Sequence, residues 1–375
     1  MTKAAELAKM GEVLTNSQIG GRRNIVYNGK MQVAQRGTSE TGVGGSAGYF
    51  TVDRFDMYFS GTAGRLTQSQ VAITDLPGFA NALKLDCTTA DTSIAAGEVA
   101  ILQQHFEGQD VQQLKKGTSD AEKVTVSFYV KGNATATYTC GLFDNDNSRQ
   151  NNQTFDVTTS WNRVSLTFNA DTTGALDNDN ANSLGFYIYL HAGTTYTSGT
   201  FASNTWAAYD NAKTVLTGKT SFFDSTDREF FITGLQMEVG SQATPFEHRS
   251  FGEELLLCQR YYSREEAATG AEYKRYATGS WSASTVLEVL IPLSTPLRNA
   301  PTLETTGTVS NYAVYSAGAV DASTELTITN DADAGTDNRA VAMYSRVSSG
   351  GVTGEGGTLL GNNNTNNFLA LDAEL

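Results

Sequence analysis

The chain has little of what several common classes of protein require. Its 375 residues contain three cysteines, and an odd number of widely spaced thiols (Cys87, Cys140 and Cys258) does not make a disulfide framework. No apolar run approaches the roughly 20 residues of a membrane-spanning helix. Residues 1–14 also lack the uninterrupted apolar segment of a signal peptide. We therefore expect neither a disulfide-stapled secreted domain nor insertion into a membrane.

Positive charge is scarce as well. The chain has 26 Lys and Arg against 40 Asp and Glu, which gives a formal net charge of −14. Neutralising a phosphate backbone requires concentrated Lys and Arg, so the balance excludes a nucleic-acid partner and disfavours anionic membranes. With 39% hydrophobic and 18% charged residues, the chain has the composition of an ordered globular protein. We interpret the negative charge as a source of solubility.

Proline is rare, with 5 residues, whereas glycine is abundant, with 36. From residue 24 to residue 249, apolar residues recur at every second position, which is the period of a half-buried strand. The apolar sets are Val124, Val126, Phe128 and Val130, then Leu184, Phe186, Ile188 and Leu190, and later Phe230, Ile232 and Leu235. Many short strands joined by Gly, Asn and Asp turns predict a β-sandwich of jelly-roll type.

The predicted fold class is all-β, in four segments. Ser250 and Glu253 have the spacing of a capping box, which predicts the start of a short helix that separates two sandwiches. The segments are an N-terminal helical arm (1–23), a jelly-roll β-sandwich (24–249), a short linking helix (250–270) and a second, smaller β-sandwich (271–375).

The N-terminal arm carries a short amphipathic pattern, because Ala4, Leu7, Ala8 and Leu14 share one helical face. A helix of about three turns is marginal alone. We predict that it anchors the chain to sister subunits or to a larger particle. An arm folded back on its own domain is the alternative.

No motif predicts catalysis. Gly44–Gly48 matches the Gly-x-Ser-x-Gly pattern of hydrolases, but it lies in a run of small residues with no helix signal after it. The histidines His105, His191 and His248 lack metal-ligand spacing. The chain is therefore predicted to be no enzyme, with no cofactor and no metal.

A bound calcium ion is the alternative to the prediction that the chain holds no metal. Two Asp-Asn-Asp-Asn runs alternate carboxylate and amide oxygens, the ligands that Ca²⁺ takes in sets of 6–8. The same residues are typical of ordinary turns, so both interpretations stay open. The candidate ligands are Asp144, Asp146, Asp177 and Asp179.

Aromatic residues give the strongest indication of a binding surface. Rings on one strand face, followed by rings in an Asn- and Thr-rich loop, are suited to stacking on sugars. The alternative is that this face packs against a neighbouring subunit or the N-terminal arm, since tyrosines are common at interfaces. The candidate glycan-binding residues are Tyr187, Tyr189, His191, Tyr196, Trp206 and Tyr209.

Several motifs occur in a fixed order: Asn24–Thr38, Ile232–Gly240, Ala243–Glu247 and Glu254–Tyr262. Together they resemble a family of virion structural proteins of tailed bacteriophages, most often tail-fibre or appendage proteins. The segments Ser127–Lys131 and Ile232–Glu238 also resemble jelly-roll carbohydrate-binding modules.

The first resemblance implies a tail fibre or tail-associated adhesin that is assembled in the host bacterial cytoplasm and located in the virion. It implies a homotrimer whose partners are other virion proteins of the tail or baseplate, and host surface glycan. A capsid decoration or head-fibre protein is the alternative within the virion. A glycan depolymerase is the enzymatic alternative.

Overall fold

A computed structural model describes Lys3 and residues 22–266, 273–328 and 340–375. The predicted anchor lies outside the described residues and stays a prediction; its members are Ala4, Leu7, Ala8 and Leu14. The chain divides into two compact units, one of residues 1–254 with Leu375 and the other of residues 255–374. The division falls inside the segment predicted to be the linking helix.

The first unit is a sandwich of two antiparallel sheets. Its strands are β1 Ser39–Val43, β2 Gly48–Tyr49, β3 Asp56–Ser60, β4 Arg65–Ala72, β5 Asn81–Thr89, β6 Val99–Glu107, β7 Val124–Gly132, β8 Ala136–Asp144, β9 Arg149–Val157, β10 Asn162–Phe168, β11 Asn182–Ala192, β12 Ala207–Ala208 and β13 Glu229–Val239. Sheet A has the order β1-β4-β5-β13-β7-β10, and sheet B has the order β12-β9-β8-β11-β6-β3-β2. From β5 onward the chain crosses repeatedly between the sheets, as in a jelly roll.

The core lies between the two sheets and follows the period-two pattern of the sequence. The predicted apolar sets of β7 and β11 are at most 5% exposed and belong to one continuous hydrophobic cluster. Because successive side chains of a strand point to opposite faces, each strand gives every second residue to this core. The predicted all-β sandwich is confirmed.

A β-bulge in β13 shifts the alternation of core-facing and outward-facing residues by one position. Between Thr233 and Gln236, two residues of β13 oppose one residue of β7, Phe128. Gly234 has a φ of 62°, and a Cβ there would lie 2.8 Å from the Phe79 ring. The extra residue returns Leu235 to the side of the core, where it is fully buried.

Helices are few and short among the described residues. They are α1 Gly108–Val111, α2 Thr194–Thr197 and α3 Phe251–Gln259, with 3₁₀ turns at Gln112–Leu114, Asn211–Lys213, Phe222–Asp224 and Val309–Asn311. The hydroxyl of Ser250 accepts a hydrogen bond from the Glu253 amide at 3.2 Å, which is half of the predicted capping box. The Glu253 carboxylate instead accepts from Arg22. In the part of the chain that the structure describes, no helix is long and apolar enough to span a membrane.

The second unit is also built from antiparallel sheets. Its strands are β14 Tyr262–Glu266, β15 Arg275–Ala283, β16 Val286–Pro292, β17 Thr302–Thr305, β18 Tyr312–Ser316, β19 Ala319–Ala322, β20 Glu325–Ile328, β21 Ala340–Arg346, β22 Gly356–Gly361 and β23 Phe368–Asp372. They form one sheet of order β14-β23-β17 and another of order β19-β18-β22-β15-β16-β21-β20. Trp281 is 1% exposed in a separate core, and its indole donates to the Ser316 hydroxyl at 3.1 Å.

A buried polar network joins the start of the first unit to its end. The Glu254 carboxylate accepts from the Asn28 amide at 2.6 Å and lies 3.3 Å from the Arg249 guanidinium. Arg249 in turn donates to the carbonyls of Val26, at 3.0 Å, and Asn24. We call Asn24, Asn28, Arg249 and Glu254 the closing network. Its members come from the sequence motifs at residues 24–38 and 254–262 and from the segment between β13 and α3.

The side-chain amides of the two asparagines in the closing network form hydrogen bonds that backbone groups form elsewhere in the sheets. The Asn24 side chain accepts from the Met237 amide at 3.0 Å and donates to the Leu235 carbonyl at 3.1 Å, so it bonds β13 as a strand would. The Asn28 side chain donates to the carbonyls of Val33 and Asp53 and accepts from the Val33 amide. Both side chains therefore satisfy buried backbone groups that lie outside regular ladders.

We predict that Asn28→Ala lowers the free energy of unfolding by about 3 kcal/mol, because it leaves several buried backbone groups without partners. Urea denaturation measures the change. Asn363→Ala is the matched control: Asn363 is exposed and has a similar left-handed φ, 49° against 57°, so it reports the backbone contribution alone. Equal losses in the two variants would contradict the role assigned to the side-chain bonds.

Candidate functional site

The outer side of sheet B carries the aromatic residues that the sequence singles out. Tyr187 and Tyr189 point away from the core because their neighbours Phe186 and Ile188 fill it. The strand register places Tyr189 opposite Ile101 of β6. Ile101 in turn lies opposite Tyr58 of β3. A row of apolar side chains therefore crosses three strands on the outer side.

Ring contacts extend this row into a continuous surface. Phe143 of β8 stacks on Tyr187 with centroids 5.8 Å apart and an interplanar angle of 17°. The Tyr209 ring meets Phe143 edge-on at 5.0 Å. Burial, and then the neighbouring hydroxyls of Tyr196 and Tyr58, raise the pKa of Tyr209, so these three phenols lie near one another. We call Tyr58, Phe143, Tyr187, Tyr196 and Tyr209 the tyrosine face.

The tyrosine face is partly covered by the chain itself. Residues 193–217, the cover segment, follow β11 and include α2. The Val215 amide of this segment donates to the Tyr196 carbonyl at 2.9 Å, and both side chains pack with Tyr189 in a small hydrophobic cluster. Tyr189 is 6% exposed, and its burial raises the pKa of its hydroxyl well above the usual value. Tyr189 is therefore the floor of the face, which corrects the expectation that it offers its ring to a ligand.

Two glycines make room for the side chains of the face. A Cβ on Gly185 would lie 2.6 Å from the Tyr187 ring, and a Cβ on Gly141 would lie 2.1 Å from the Asn152 side chain. Any larger residue at either position would displace these groups. The flat orientation of Tyr187 thus depends on the absence of a side chain at Gly185.

Polar groups lie beside the rings. The Gln103 amide donates to the Asp56 carboxylate at 2.7 Å on the outer side of β6 and β3. Tyr58 and Tyr209 are 41% and 42% exposed, so both rings present a surface to solvent. The Gln103 and Asp56 side chains are 8% and 6% exposed and are bonded to each other, so they support the sheet beneath the rings. The half-exposed rings are what this surface offers to a ligand, and rings of this kind can stack on a sugar.

His191 does not belong to the tyrosine face, which corrects the sequence-based expectation. A β-bulge in β11 places His191 opposite Ala100, whereas Tyr189 two residues earlier lies opposite Ile101. The bulge turns the imidazole to the inner side of the sheet, where it is 1% exposed and meets the Phe223 ring edge-on at 5.5 Å. The prediction was wrong because it assumed that side chains alternate without interruption along β11, whereas the bulge shifts His191 to the other face.

Trp206 has other contacts. Its indole donates to the Asn169 carbonyl at 2.7 Å, and the Lys116 ammonium lies 5.2 Å from the centroid of its ring. The tryptophan also packs against the main core. It therefore closes the edge of the sandwich, and its ring is half-buried.

The candidate calcium ligands lie beside an ammonium group. Lys116 is paired with Asp144, lies 3.1 Å from Asp171 and donates to the carbonyls of Thr173 and Gly174 at 2.8 Å. Burial would raise the pKa of Asp171, but hydrogen bonds from Arg149 and Lys116 outweigh it and hold that pKa below its usual value. A calcium ion at Asp144 would have to compete with this buried cation.

Two of the remaining candidate aspartates accept hydrogen bonds from backbone amides. The Asp146 carboxylate accepts from the Asp177 amide at 2.9 Å, and the Asp179 carboxylate accepts from the Ala181 amide at the same distance. The Asp179 bond is the local bond of an ordinary turn, whereas the Asp146 bond joins two segments that are 31 residues apart. The calcium interpretation stays a proposal.

We predict that Tyr189→Ala lowers the free energy of unfolding by about 3 kcal/mol, since it removes a buried ring from beneath the cover segment. Thermal or urea unfolding measures the loss. Tyr209→Ala is the control on the same face and should cost less than about 1 kcal/mol because its ring is half-exposed. A small loss in both variants would show that the cover segment does not close over Tyr189 in solution.

Comparisons with known proteins gave matches only among solved structures; a scan against protein-family models and a search of curated proteins found none. A CBM4 structure is 11% identical to this chain, with a TM-score of 0.29; the match covers 56% of this chain and 97% of the CBM4 chain. TmCBM61 in complex with β-1,4-galactotriose is 8% identical with a TM-score of 0.30, covering 58% and 99%. A family 11 carbohydrate-binding module from Clostridium thermocellum, in complex with a β-1,3-1,4-mixed-linked tetrasaccharide, is 12% identical with a TM-score of 0.27, covering 55% and 98%. TM-scores this low decide neither fold nor function.

Proposed function

We propose that this chain is a non-enzymatic structural protein of a tailed-phage virion, and that it binds host surface glycan through the tyrosine face. The ordered motifs from Asn24 to Tyr262 support the virion class. The carbohydrate-module resemblance of Ser127–Lys131 and Ile232–Glu238 supports the ligand class. Tail fibre or tail-associated adhesin is the role that these two resemblances favour together.

The observation that carries the ligand proposal is the pair of half-exposed rings, Tyr58 and Tyr209, on the outer side of sheet B. The rings below them are fixed, because Tyr187 stacks on Phe143 and rests beside Gly185. A platform whose rings are already ordered loses little side-chain entropy when a ligand binds. Each chain would supply one such weak site, and a homotrimer would raise the avidity by presenting three.

The enzymatic alternative requires two carboxylates that flank an open groove, about 5 to 9.5 Å apart. Among the described residues, Asp91 and Glu98 have neighbouring carboxylates, but they are 6% and 8% exposed. A groove of about 570 Å³ in the second unit is lined by residues of β17 and β20 and contains one acid, Glu325. Neither place has the arrangement of a glycosidase, which favours binding without hydrolysis.

We predict that the double variant Tyr58→Ala/Tyr209→Ala folds normally and binds at least tenfold more weakly to host cells and to their extracted surface polysaccharide. Both rings are half-exposed, so their loss removes ligand contacts and little core packing. Pull-down with labelled protein measures binding to cells, and calorimetry measures binding to the polysaccharide.

The control for this experiment is Tyr273→Ala/Tyr315→Ala, which removes two exposed tyrosines of the second unit, 49% and 37% exposed. It should bind as the unmodified chain does. Equal binding by the unmodified chain and the Tyr58/Tyr209 variant would reject the tyrosine face as the glycan site. Loss of assembly in that variant would assign the face to a subunit interface instead.

The place on the particle is tested separately. Gold-labelled antibody against the second unit, viewed by electron microscopy of intact virions, is expected on tail or baseplate appendages. Gold on the capsid would support the head-decoration alternative and reject the adhesin role.

Light scattering of the purified chain is expected to give the mass of a trimer; a monomer at micromolar concentration would contradict the avidity argument.

A further inference from the structure

We propose that Asp91, Glu98 and His191 form a binding site for a divalent transition metal, with Zn²⁺ as the ion that fits best. The three side chains come from separate parts of the first unit: Asp91 follows β5, Glu98 immediately precedes β6, and His191 lies near the end of β11. Their ligand atoms all lie within 4.8 Å of one another. This metal site is independent of glycan binding.

The spacing of the ligand atoms fits a small tetrahedral ion. His191 Nε2 lies 3.3 Å from the Glu98 carboxylate oxygen Oε2. Two ligands of a tetrahedral Zn²⁺, each bound at about 2.0–2.1 Å, are separated by about 3.3 Å. Small side-chain rotations would bring the Asp91 carboxylate to the same ion. A water molecule would supply the fourth ligand.

The cluster holds two carboxylates and one imidazole, a set of charges that favours a cation. Asp91 accepts from the Thr62 hydroxyl and the Ala63 amide at 2.8 Å, and Glu98 faces the imidazole of His191. In the described part of the chain, neither carboxylate is paired with Lys or Arg. Two buried carboxylates without a full positive charge are costly, and a divalent ion would compensate both of them.

The protonation states suit metal binding. Burial lowers the pKa of His191 despite the opposing effects of Glu98 and Asp91, and so favours the neutral imidazole that coordinates metals. Burial would raise the pKa of Asp91, but hydrogen bonds from Thr62 and Ala63 outweigh it and keep that carboxyl ionised.

A second layer of contacts orients the imidazole. His191 Nδ1 lies 2.8 Å from the Ser221 hydroxyl, whose oxygen also accepts from the Phe223 amide at 3.0 Å. With the proton on Nδ1 donated to Ser221, the lone pair of Nε2 points toward Glu98. Metal-binding histidines ordinarily donate their other N–H in this way.

The donor set distinguishes among metals. An imidazole nitrogen with two carboxylates suits Zn²⁺ and related transition metals, whereas Ca²⁺ and Mg²⁺ prefer oxygen ligands alone. The site is buried beside the Phe223 ring, and an ion bound there would tie the start of β6 to the end of β11. Residue spacing could not reveal the site, because 93 positions separate Glu98 from His191.

The test is titration of Zn²⁺ into the full chain after treatment with a chelator. We expect one Zn²⁺ per chain by calorimetry and elemental analysis, together with a rise in the unfolding temperature. His191→Gln and Asp91→Asn keep the size of each side chain and should each weaken Zn²⁺ binding at least tenfold. His248→Gln, which alters an exposed histidine, is the control and should leave binding unchanged.

A spectroscopic measurement on the unmodified chain keeps the test decisive if a variant does not fold. Co²⁺ in place of Zn²⁺ should give the intense visible absorption of a tetrahedral site, and Zn²⁺ should abolish it. Absence of stoichiometric Zn²⁺ binding by the unmodified chain would overturn the proposal. So would binding that His191→Gln leaves intact, or a Co²⁺ spectrum typical of an octahedral surface site.

Discussion

The closing network is the constraint on which the first unit depends. An arginine and a glutamate with exposures of 6% and 3% are costly to bury unless every polar atom around them has a partner. Here Arg249 and Glu254 obtain those partners from Asn28 and from the backbone at Asn24 and Val26. The start and the end of the unit therefore hold each other in place, so these residues favour one closed arrangement of the sandwich over alternatives.

This dependence gives a physical reason for the motifs that carry the family resemblance. Residues 24–38 and 254–262 are distant in sequence, yet Asn28 and Glu254 are bonded directly. These motif residues have a structural role. The side-chain amides of Asn24 and Asn28 bond backbone groups in place of a neighbouring strand, and Glu254 forms a buried ion pair with Arg249. The resemblance thus rests on residues that specify a fold, whereas the rings of the tyrosine face lie outside those motifs.

Periodicity predicted the sandwich well and the candidate site only in part. It assigned the faces of β7 and most of β11 correctly, because burial on one face imposes a period of two. It assigned His191 to the wrong face, since a bulge adds one residue and no local signal marks it. Tyr58 could have been found, because it alternates with the buried Met57 and Phe59. The contact of Phe143 with Tyr187 could not have been found, because it depends on β8 lying next to β11, and a single sequence does not show strand order.

The cover segment has a consequence for how this kind of surface can change. The strands beneath it are fixed by the core on their other side. Residues 193–217 cross the outer side of sheet B and are held there at separate points, which include β12 on β9 and backbone bonds to Ala96 and Asn152. Trp206 packs against the main core and Val215 packs on Tyr189, so these positions are constrained, whereas the exposed side chains between them can vary without repacking the sandwich. Exchanging those exposed positions between related chains would therefore change the shape of the tyrosine face while the scaffold stayed the same.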